Sequence, residues 1–202
     1  VPLGIFTAQR EGKWPDRALM VLDQIAMSVP GFFWGILITL LFGLILKWFT
    51  PGAYVPITES FGGFLSYLIA PGAAIALPRC AMGVKILRSS VLAQMEKDYV
   101  RTAYARGNGR RRVMYRHVLK NALLPVLTFW GMTIADIVAN SIIIEQVFTI
   151  PGMGSLLITS ISNRDYPVAL GIIVLIAFFV IAVNFLVDIL YGRIDPRIRV
   201  EQ

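Results

Sequence analysis

The sequence predicts an all-α, polytopic membrane protein: a helix bundle with four complete transmembrane helices and the end of a fifth. Hydrophobic residues make up 56% of the 202 residues and charged residues only 15%, against about 25% in soluble domains. The mean hydropathy is +0.69. The charges, with a formal net value of +7, gather between long apolar runs. This pattern excludes an ordinary soluble domain and does not fit a uniformly basic nucleic-acid-binding protein.

Four apolar runs are long enough to cross a bilayer, which takes about 20 residues. They lie at residues 25–46, 61–86, 122–147 and 167–191. A shorter apolar stretch at residues 1–8 runs straight into the polar segment QREGKWPDR. We expect this stretch to be the end of another transmembrane helix whose start lies outside the sequence, and not a signal peptide.

The distribution of Lys and Arg predicts the orientation in the membrane, because cytoplasmic loops are enriched in these residues. Nine of them lie in the loop at residues 88–121, and others precede the first run and follow the fourth, whereas the opposite side has only Lys47 and Arg164. We therefore expect loop 88–121 and the C-terminus in the cytoplasm, and loops 48–60 and 148–166 outside. The basic residues of the cytoplasmic side are Arg10, Lys13, Arg17, Arg88, Lys97, Arg101, Arg106, Arg110, Arg111, Arg112, Arg116, Lys120, Arg193, Arg197 and Arg199.

The cytoplasmic loop has a small, mildly apolar helical face. Residues 91–105 contain no Gly or Pro and can be helical. Val100, Ala103, Tyr104 and Gly107 have the i, i+3, i+4, i+7 spacing of one helical face. This face predicts a short helix that docks into a groove on another protein. A charge added at Ala103 is then expected to weaken that contact, because the small face has no room for it.

A glycine break and a second helix follow this face. Gly107 is expected to end the first helix, the pair Asn108-Gly109 favours a turn, and residues 110–121 can restart a helix. A basic stripe of Arg112, Arg116 and Lys120 is expected along the second helix. The surrounding Arg residues could hold the loop to a partner or to anionic head groups. The alternative is that these charges serve only topology and lipid contact.

Polar residues inside the apolar runs are candidates for a pathway. Asp136 and Asn140 lie four residues apart on one helical face, as do Asn184 and Asp188. One interpretation is a substrate path or proton relay, and the other is hydrogen bonding between helices that holds the bundle together. The second is favoured, because no chain of ionisable groups crosses the membrane.

The sequence has few signals of catalysis. The single cysteine, Cys80, rules out an internal disulfide, and the sole histidine, His117, has no Cys or carboxylate cluster at ligand spacing. No GxxxxGK[ST] phosphate-binding loop is present in the sequence, so ATP hydrolysis would need separate subunits. We expect neither an enzyme, a metal site nor a cofactor in this chain. The loop's three tyrosines, at 99, 104 and 115, form no evident stacking platform, which argues against nucleic-acid binding.

Five motifs together resemble a known family. They are DYVRTAYARG, RHVLKNALLPVLT, EQVFTIPGMGSLLITSI, NRDYPV and LVDILYGRIDPRIR, and they occur in this order between residues 2 and 199. The combination is similar to the inner-membrane permease subunits of binding-protein-dependent ABC importers of the dipeptide, oligopeptide and nickel type. The resemblance implies the fold of a type I ABC importer, lacking about one spanning helix and an external region at its N-terminal end.

The resemblance assigns the cytoplasmic loop as a coupling helix that docks on an ATP-binding subunit. The family's Glu-Ala-Ala…Gly pattern falls on Arg101, Thr102 and Ala103 with Gly107, so Arg101 stands where the general pattern has Glu. The general pattern also has Pro where this chain has Lys120. The implied coupling residues are Tyr99, Arg101, Thr102, Ala103, Tyr104, Arg106 and Gly107.

The resemblance also implies partners and substrates. They are a second permease subunit, two ATP-binding subunits that hold the ATP and Mg, and an extracytoplasmic solute-binding protein. The implied cargo is a peptide, a glutathione-like compound or nickel, and the implied location is the inner membrane of a bacterium or archaeon. A stand-alone channel or secondary transporter is the alternative. The expected docking residues for the binding protein are Pro151, Gly152, Gly154, Asp165 and Tyr166.

Overall fold

The computed structural model describes residues 1–194 and is helical throughout its regular structure, with no strand among those residues. The predicted all-α class is therefore confirmed. Part of the predicted cytoplasmic tail, including Arg197 and Arg199, lies outside the described residues. The helices are α1 (Pro2–Gln9), α2 (Trp14–Ser28), α3 (Gly31–Ile45, with a π-helical second half), α4 (Phe61–Met95), α5 (Asp98–Ala105), α6 (Arg110–Ala122, with a π-helical middle), α7 (Leu124–Phe148), α8 (Met153–Ser162) and α9 (Tyr166–Ile194).

The chain divides into two compact units, each with its own core. Unit 1 comprises Val1–Met27, Cys80–Met132 and the segment that begins at Ile189, while unit 2 comprises Ser28–Arg79 and Thr133–Asp188. Unit 1 therefore contains α1, α5 and α6 with the second half of α4, and unit 2 contains α3 and α8 with the first half of α4.

Unit 1 is held together by apolar side chains from five helices, most of them small or branched. Branched and small residues let the helices approach closely, and their burial removes apolar surface from water or lipid. The cluster joins α5 and α6 to α1, to the end of α4 and to the start of α7. Its fully buried members are Ile5, Ala8, Leu87, Val91, Val100, Ala103, Val113, Met114, Val118, Ala122 and Val126.

A buried ion pair ties the start of α2 to α4 within unit 1. Arg88 donates from Nε to Asp16 Oδ1 at 2.7 Å and from Nη2 to Asp16 Oδ2 at 2.8 Å. The Gly12 backbone N–H donates to the same carboxylate at 2.9 Å. Asp16 is only 2% exposed, so this two-pronged geometry is what makes its charge tolerable in the interior.

Unit 2 has a smaller core around the end of α7. Ile38, Ala74, Ile144 and Phe148 are its fully buried members. The Tyr67 hydroxyl, on α4, donates to the Phe148 backbone carbonyl and accepts from the Gly52 N–H at 3.2 Å. The loop between α3 and α4 is thereby fastened to the end of α7.

The candidate membrane spans agree only in part with the predicted runs. By length and composition, two helices of the described chain could each cross a membrane, Phe61–Met95 and Tyr166–Val187. The number rises to five if each of three broken helix pairs counts as one span. The runs predicted at residues 61–86 and 167–191 are thus helical as expected.

The run predicted at residues 25–46 is not one helix. α2 ends at Ser28 and α3 begins at Gly31, with Pro30 between them in an extended conformation (φ −59°, ψ 147°). Proline has no backbone N–H to donate and disfavours helical geometry in the residue before it. The apolar composition indicated a continuous span, but the local backbone rule at Pro30 divides it.

Asp16→Ala should destabilise unit 1 strongly, because it leaves the Arg88 guanidinium half-buried without its carboxylate. The expected loss is on the order of 3 kcal/mol in unfolding free energy, measured by thermal unfolding of the full-length protein in detergent. Asp98→Ala is the matched control, since its contact with Arg101 is long, at 3.9 Å, and fully at the surface. Equal melting temperatures for the two variants would contradict this role for Asp16.

Candidate functional site

Helix α5 is a separate short helix and not the continuation of α4. α4 ends at Met95, and Lys97 is extended (φ −72°, ψ 147°) before α5 begins at Asp98. The expectation of one helix over residues 91–105 is therefore corrected at Glu96 and Lys97. The Asp98 carboxylate in the first turn suits the positive end of the helix dipole.

The end of α5 is fixed by a left-handed glycine. Gly107 has φ +78°, a conformation that a residue with a Cβ rarely adopts. The Gly107 N–H donates to the Tyr104 carbonyl at 2.9 Å, and the Asn108 N–H donates to the Ala103 carbonyl at 3.3 Å. These two bonds form a Schellman motif, and the Asn108 side-chain amide adds a third bond to Ala103 O at 3.0 Å. The predicted glycine break is confirmed.

The two faces of α5 are not the ones predicted. Val100 and Ala103 are buried in the unit 1 core, and Ala103 is only 6% exposed. Their small apolar side chains therefore belong to the chain's own packing, and Ala103 cannot be the contact with a partner that its spacing suggested. Tyr99 is half-buried and donates to Gln94 Oε1 at 2.9 Å. The exposed residues of the predicted coupling set are Arg101, Thr102, Tyr104, Arg106 and Gly107.

Helix α6 restarts as predicted, but not with regular α geometry. Residues Val113–Val118 are π-helical, so hydrogen bonds span five residues there instead of four. The stripe of Arg112, Arg116 and Lys120 presumed an α-helical spacing across this segment. All three side chains are exposed, but the residues between them lack the regular α-helical hydrogen bonding on which that spacing was based.

In loop 148–166, the residues after α7 form a tight corner with α8. The 85° bend between Asn140–Phe148 and Met153–Ser162 is fastened by Glu145, whose Oε2 accepts the Ser155 N–H at 2.9 Å. Gly152 N–H donates to Ser155 Oγ at 3.0 Å. A carboxylate at the first turn of α8 satisfies a free N–H and the helix dipole together. The segment SLLITSI thus lies within the short helix α8.

Two of the five predicted docking residues are required by this corner. A Cβ on Gly152 would lie 2.3 Å from the Glu145 carboxyl carbon, and a Cβ on Gly154 would lie 2.6 Å from Ile142 Cα. Both glycines therefore allow α8 to approach α7, which is a structural reason for their presence. Pro151, Asp165 and Tyr166 are exposed, and Asp165 Oδ1 also accepts the Val168 N–H at 3.3 Å at the start of α9.

The polar residues of the apolar runs have partners that the sequence did not reveal. Arg79 on α4 forms an ion pair with Asp136 on α7. Asn140 Nδ2 donates to the Asp136 backbone carbonyl at 2.8 Å and to Oδ1 at 3.1 Å. The ion pair between helices agrees with the bundle-holding interpretation of Asp136, whereas these two hydrogen bonds of Asn140 stay within α7. Asn184 is exposed, and the Asp188 side chain lies outside the described part of the structure.

The described residues contain no group of three or more His, Cys, Asp or Glu side chains that could hold a metal ion. Cys80 is an exposed free thiol. The candidate site is the exposed face of α5, which is held on the unit 1 core next to α6.

Single Asp substitutions at Ala103 and at Thr102 test the buried and the exposed face of α5 separately. Ala103→Asp buries an unpaired carboxylate in the unit 1 core, and we expect it to lower the melting temperature of the isolated full-length protein and its yield in the membrane. Thr102→Asp lies on the exposed face and should leave both unchanged. A well-folded Ala103→Asp protein would argue against the burial described for α5.

Gly154→Ala should destabilise the corner between α7 and α8, because the added Cβ meets backbone that cannot move aside. Gly171→Ala in α9 is the control, since no heavy atom lies within 4 Å of its added Cβ. We expect the first substitution to increase proteolysis of the 148–166 loop in membrane vesicles and the second to leave it unchanged. Equal cleavage of the two variants would mean that the close approach is not required.

The family of binding-protein-dependent transport system inner membrane components matches residues 1–200. The chain is also 39% identical over 197 residues to a putative peptide transport system permease protein of Brucella abortus (strain 2308), which covers 98% of this chain and 63% of that protein.

Two further relatives have similar coverage. The oligopeptide transport system permease protein AppB of Bacillus subtilis (strain 168) is 35% identical over 98% of this chain and 63% of its own length. The di/tripeptide transport system permease protein DppB of Pseudomonas aeruginosa (strain UCBPP-PA14) is 36% identical over 97% and 64%. The chain thus spans a little under two thirds of these relatives. With the helical fold and the family match together, this chain belongs to the binding-protein-dependent transport system inner membrane components.

Proposed function

We propose that this chain is part of the permease subunit of an ATP-driven importer of peptides, and that α5 is the element that receives movement from a separate ATP-binding subunit. The family is one of transport permeases, and the relatives' names specify peptides. The observation that carries the coupling role is the division of α5 into a face buried in the core and a polar, exposed face.

The packing of α5 supports a mechanical role. Val100 and Ala103 join it to side chains of α1, α4 and α6 in one close-packed cluster. Because such cores do not deform continuously, a force on the exposed face would move these helices together. The exposed residues Arg101, Thr102, Tyr104 and Arg106 combine charge, hydrogen-bonding groups and an aromatic ring, as surfaces for protein contact often do.

The remaining parts of the transporter come from other chains. ATP and Mg would be held by two ATP-binding subunits, since this sequence contains no phosphate-binding loop of the GxxxxGK[ST] type. A second permease subunit would complete the path, and this chain itself would not be an enzyme. On the outside, a solute-binding protein would contact Pro151, Asp165 and Tyr166, while Gly152 and Gly154 would shape the corner that presents them.

The proposal includes an orientation in the inner membrane. Loop 88–121 and the C-terminus lie in the cytoplasm, and loop 148–166 lies outside, within one transmembrane domain over residues 1–199. The excess of Lys and Arg on one side supports this orientation. Peptide cargo is preferred to nickel, because no metal-ligand cluster is found among the described residues and all three relatives are named for peptides.

A mild-detergent purification of the full-length protein from its native membrane tests the proposal. An ATP-binding subunit and a second permease should come with it, identified by mass spectrometry. Arg101→Glu with Tyr104→Ala should release the ATP-binding subunit but keep the second permease. Purification of the protein alone, in active form, would instead favour a stand-alone channel or secondary transporter.

Gly107→Pro should uncouple peptide transport from ATP hydrolysis. Proline cannot reach φ +78° and removes the N–H that donates to the Tyr104 carbonyl, so the end of α5 must unwind. We expect normal membrane insertion, with peptide uptake reduced at least tenfold while ATPase activity persists.

Gly109→Pro is the matched control, because Gly109 already has φ −68°, which suits proline. That variant should retain uptake in the same vesicles. Uptake at the normal rate by Gly107→Pro would rule out α5 as the coupling helix.

A further inference from the structure

A basic groove lies in unit 1, where the end of α1 meets the start of α6. It is an open groove of about 580 Å³, which is within the size range of small-ligand sites. Four cationic side chains line it, Arg10 and Lys13 from the segment after α1 and Arg110 and Arg111 from α6. Phe6 and Tyr115 supply an aromatic lining.

Among the residues that the structure describes, no acidic side chain forms an ion pair with the positive charges of this groove. In the part of the chain that the structure describes, the ion pairs of Arg and Lys involve Arg79, Arg88 and Arg101 and none of these four residues. Arg10 instead stacks on the Phe6 ring, with its guanidinium carbon 3.9 Å from the centroid. Glu11, the nearest acid in sequence, does not line the groove. Four like charges brought together raise the local potential and favour an anion.

The surroundings of the groove indicate the kind of anion. α1 is apolar and leaves Val1, Leu3 and Phe6 exposed, and Trp14, just after it, is 80% exposed. Exposed apolar side chains that give way to Trp, Tyr and basic residues are typical of the level of lipid head groups. Tyr115, 52% exposed, places an amphipathic ring at the same groove.

We propose that this groove binds the phosphate of an anionic phospholipid, with Arg10, Lys13, Arg110 and Arg111 around the head group and the acyl chains beside α1. A lipid in this position would bridge α1 and α6. It would thereby support the cytoplasmic loop from the membrane side, independently of any contact made by the exposed face of α5. An acidic protein segment is a less suitable occupant, because the groove adjoins the exposed apolar surface of α1.

The test uses the full-length protein in a non-ionic detergent, titrated with dioctanoyl phosphatidylglycerol by isothermal calorimetry. Dioctanoyl phosphatidylcholine is the neutral probe, and glycerol phosphate is the free-phosphate probe. We expect saturable binding of phosphatidylglycerol that weakens as salt rises. Arg110→Gln with Arg111→Gln should weaken this binding about tenfold or more, and Lys13→Gln alone should weaken it severalfold.

Arg116→Gln with Lys120→Gln is the control, because it removes the same charge from exposed positions of α6 that do not line the groove. It should change the affinity less than twofold, and melting temperatures should establish that every variant is folded. If both double variants lost the same affinity for phosphatidylglycerol, the site would be overturned, because the attraction would then be diffuse. If phosphatidylcholine bound as tightly as phosphatidylglycerol, the groove would not be specific for an anion. If glycerol phosphate bound as tightly as phosphatidylglycerol, the groove would be a site for free phosphate and not for a lipid. Loss of the ATP-binding subunit with unchanged lipid binding in Arg110→Gln, Arg111→Gln would reassign the groove to that partner.

Discussion

The packing of Val100 and Ala103 into unit 1 is the constraint on which the segment between α4 and α7 depends. A helix of eight residues, such as α5, is not stable by itself in water, because its hydrogen bonds do not repay the cost of nucleation. α5 must therefore take its stability from the core beneath it and from the Schellman motif at Gly107. The small apolar side chains of α5 are therefore occupied in the unit 1 core, and only its polar face remains exposed.

Local signals predicted the breaks of the chain well. Gly107 ends α5 as the sequence led us to expect, with a positive φ, and α6 begins directly after Asn108-Gly109. Turns depend on residues within three or four positions, so they can be inferred without tertiary structure. The buried and exposed faces of α5 could not be inferred in this way, because a small apolar stripe has the same spacing whether it fits a partner or the protein's own core.

Partners distant in sequence were also beyond prediction. Asp16 and Arg88 are 72 residues apart, and Arg79 on α4 pairs with Asp136 on α7. A charge in an apolar run signals that a partner must exist, but periodicity does not say which residue it is. Pro30 is the opposite case. The rule that proline disfavours helical geometry in the residue before it can be applied to the sequence alone, but the apolar length of residues 25–46 favoured one continuous helix.

Two groups of charges among the described residues differ in an informative way. Asp16 with Arg88, and Asp136 with Arg79, are paired between helices and stabilise the fold. Glu145 serves the same purpose by accepting a backbone N–H at the start of α8. Arg10, Lys13, Arg110 and Arg111 instead converge without an acid. Orientation in the membrane requires only that basic residues lie on one side, not that four of them share a groove. Their convergence therefore needs a cause beyond topology, and an anion held there supplies it.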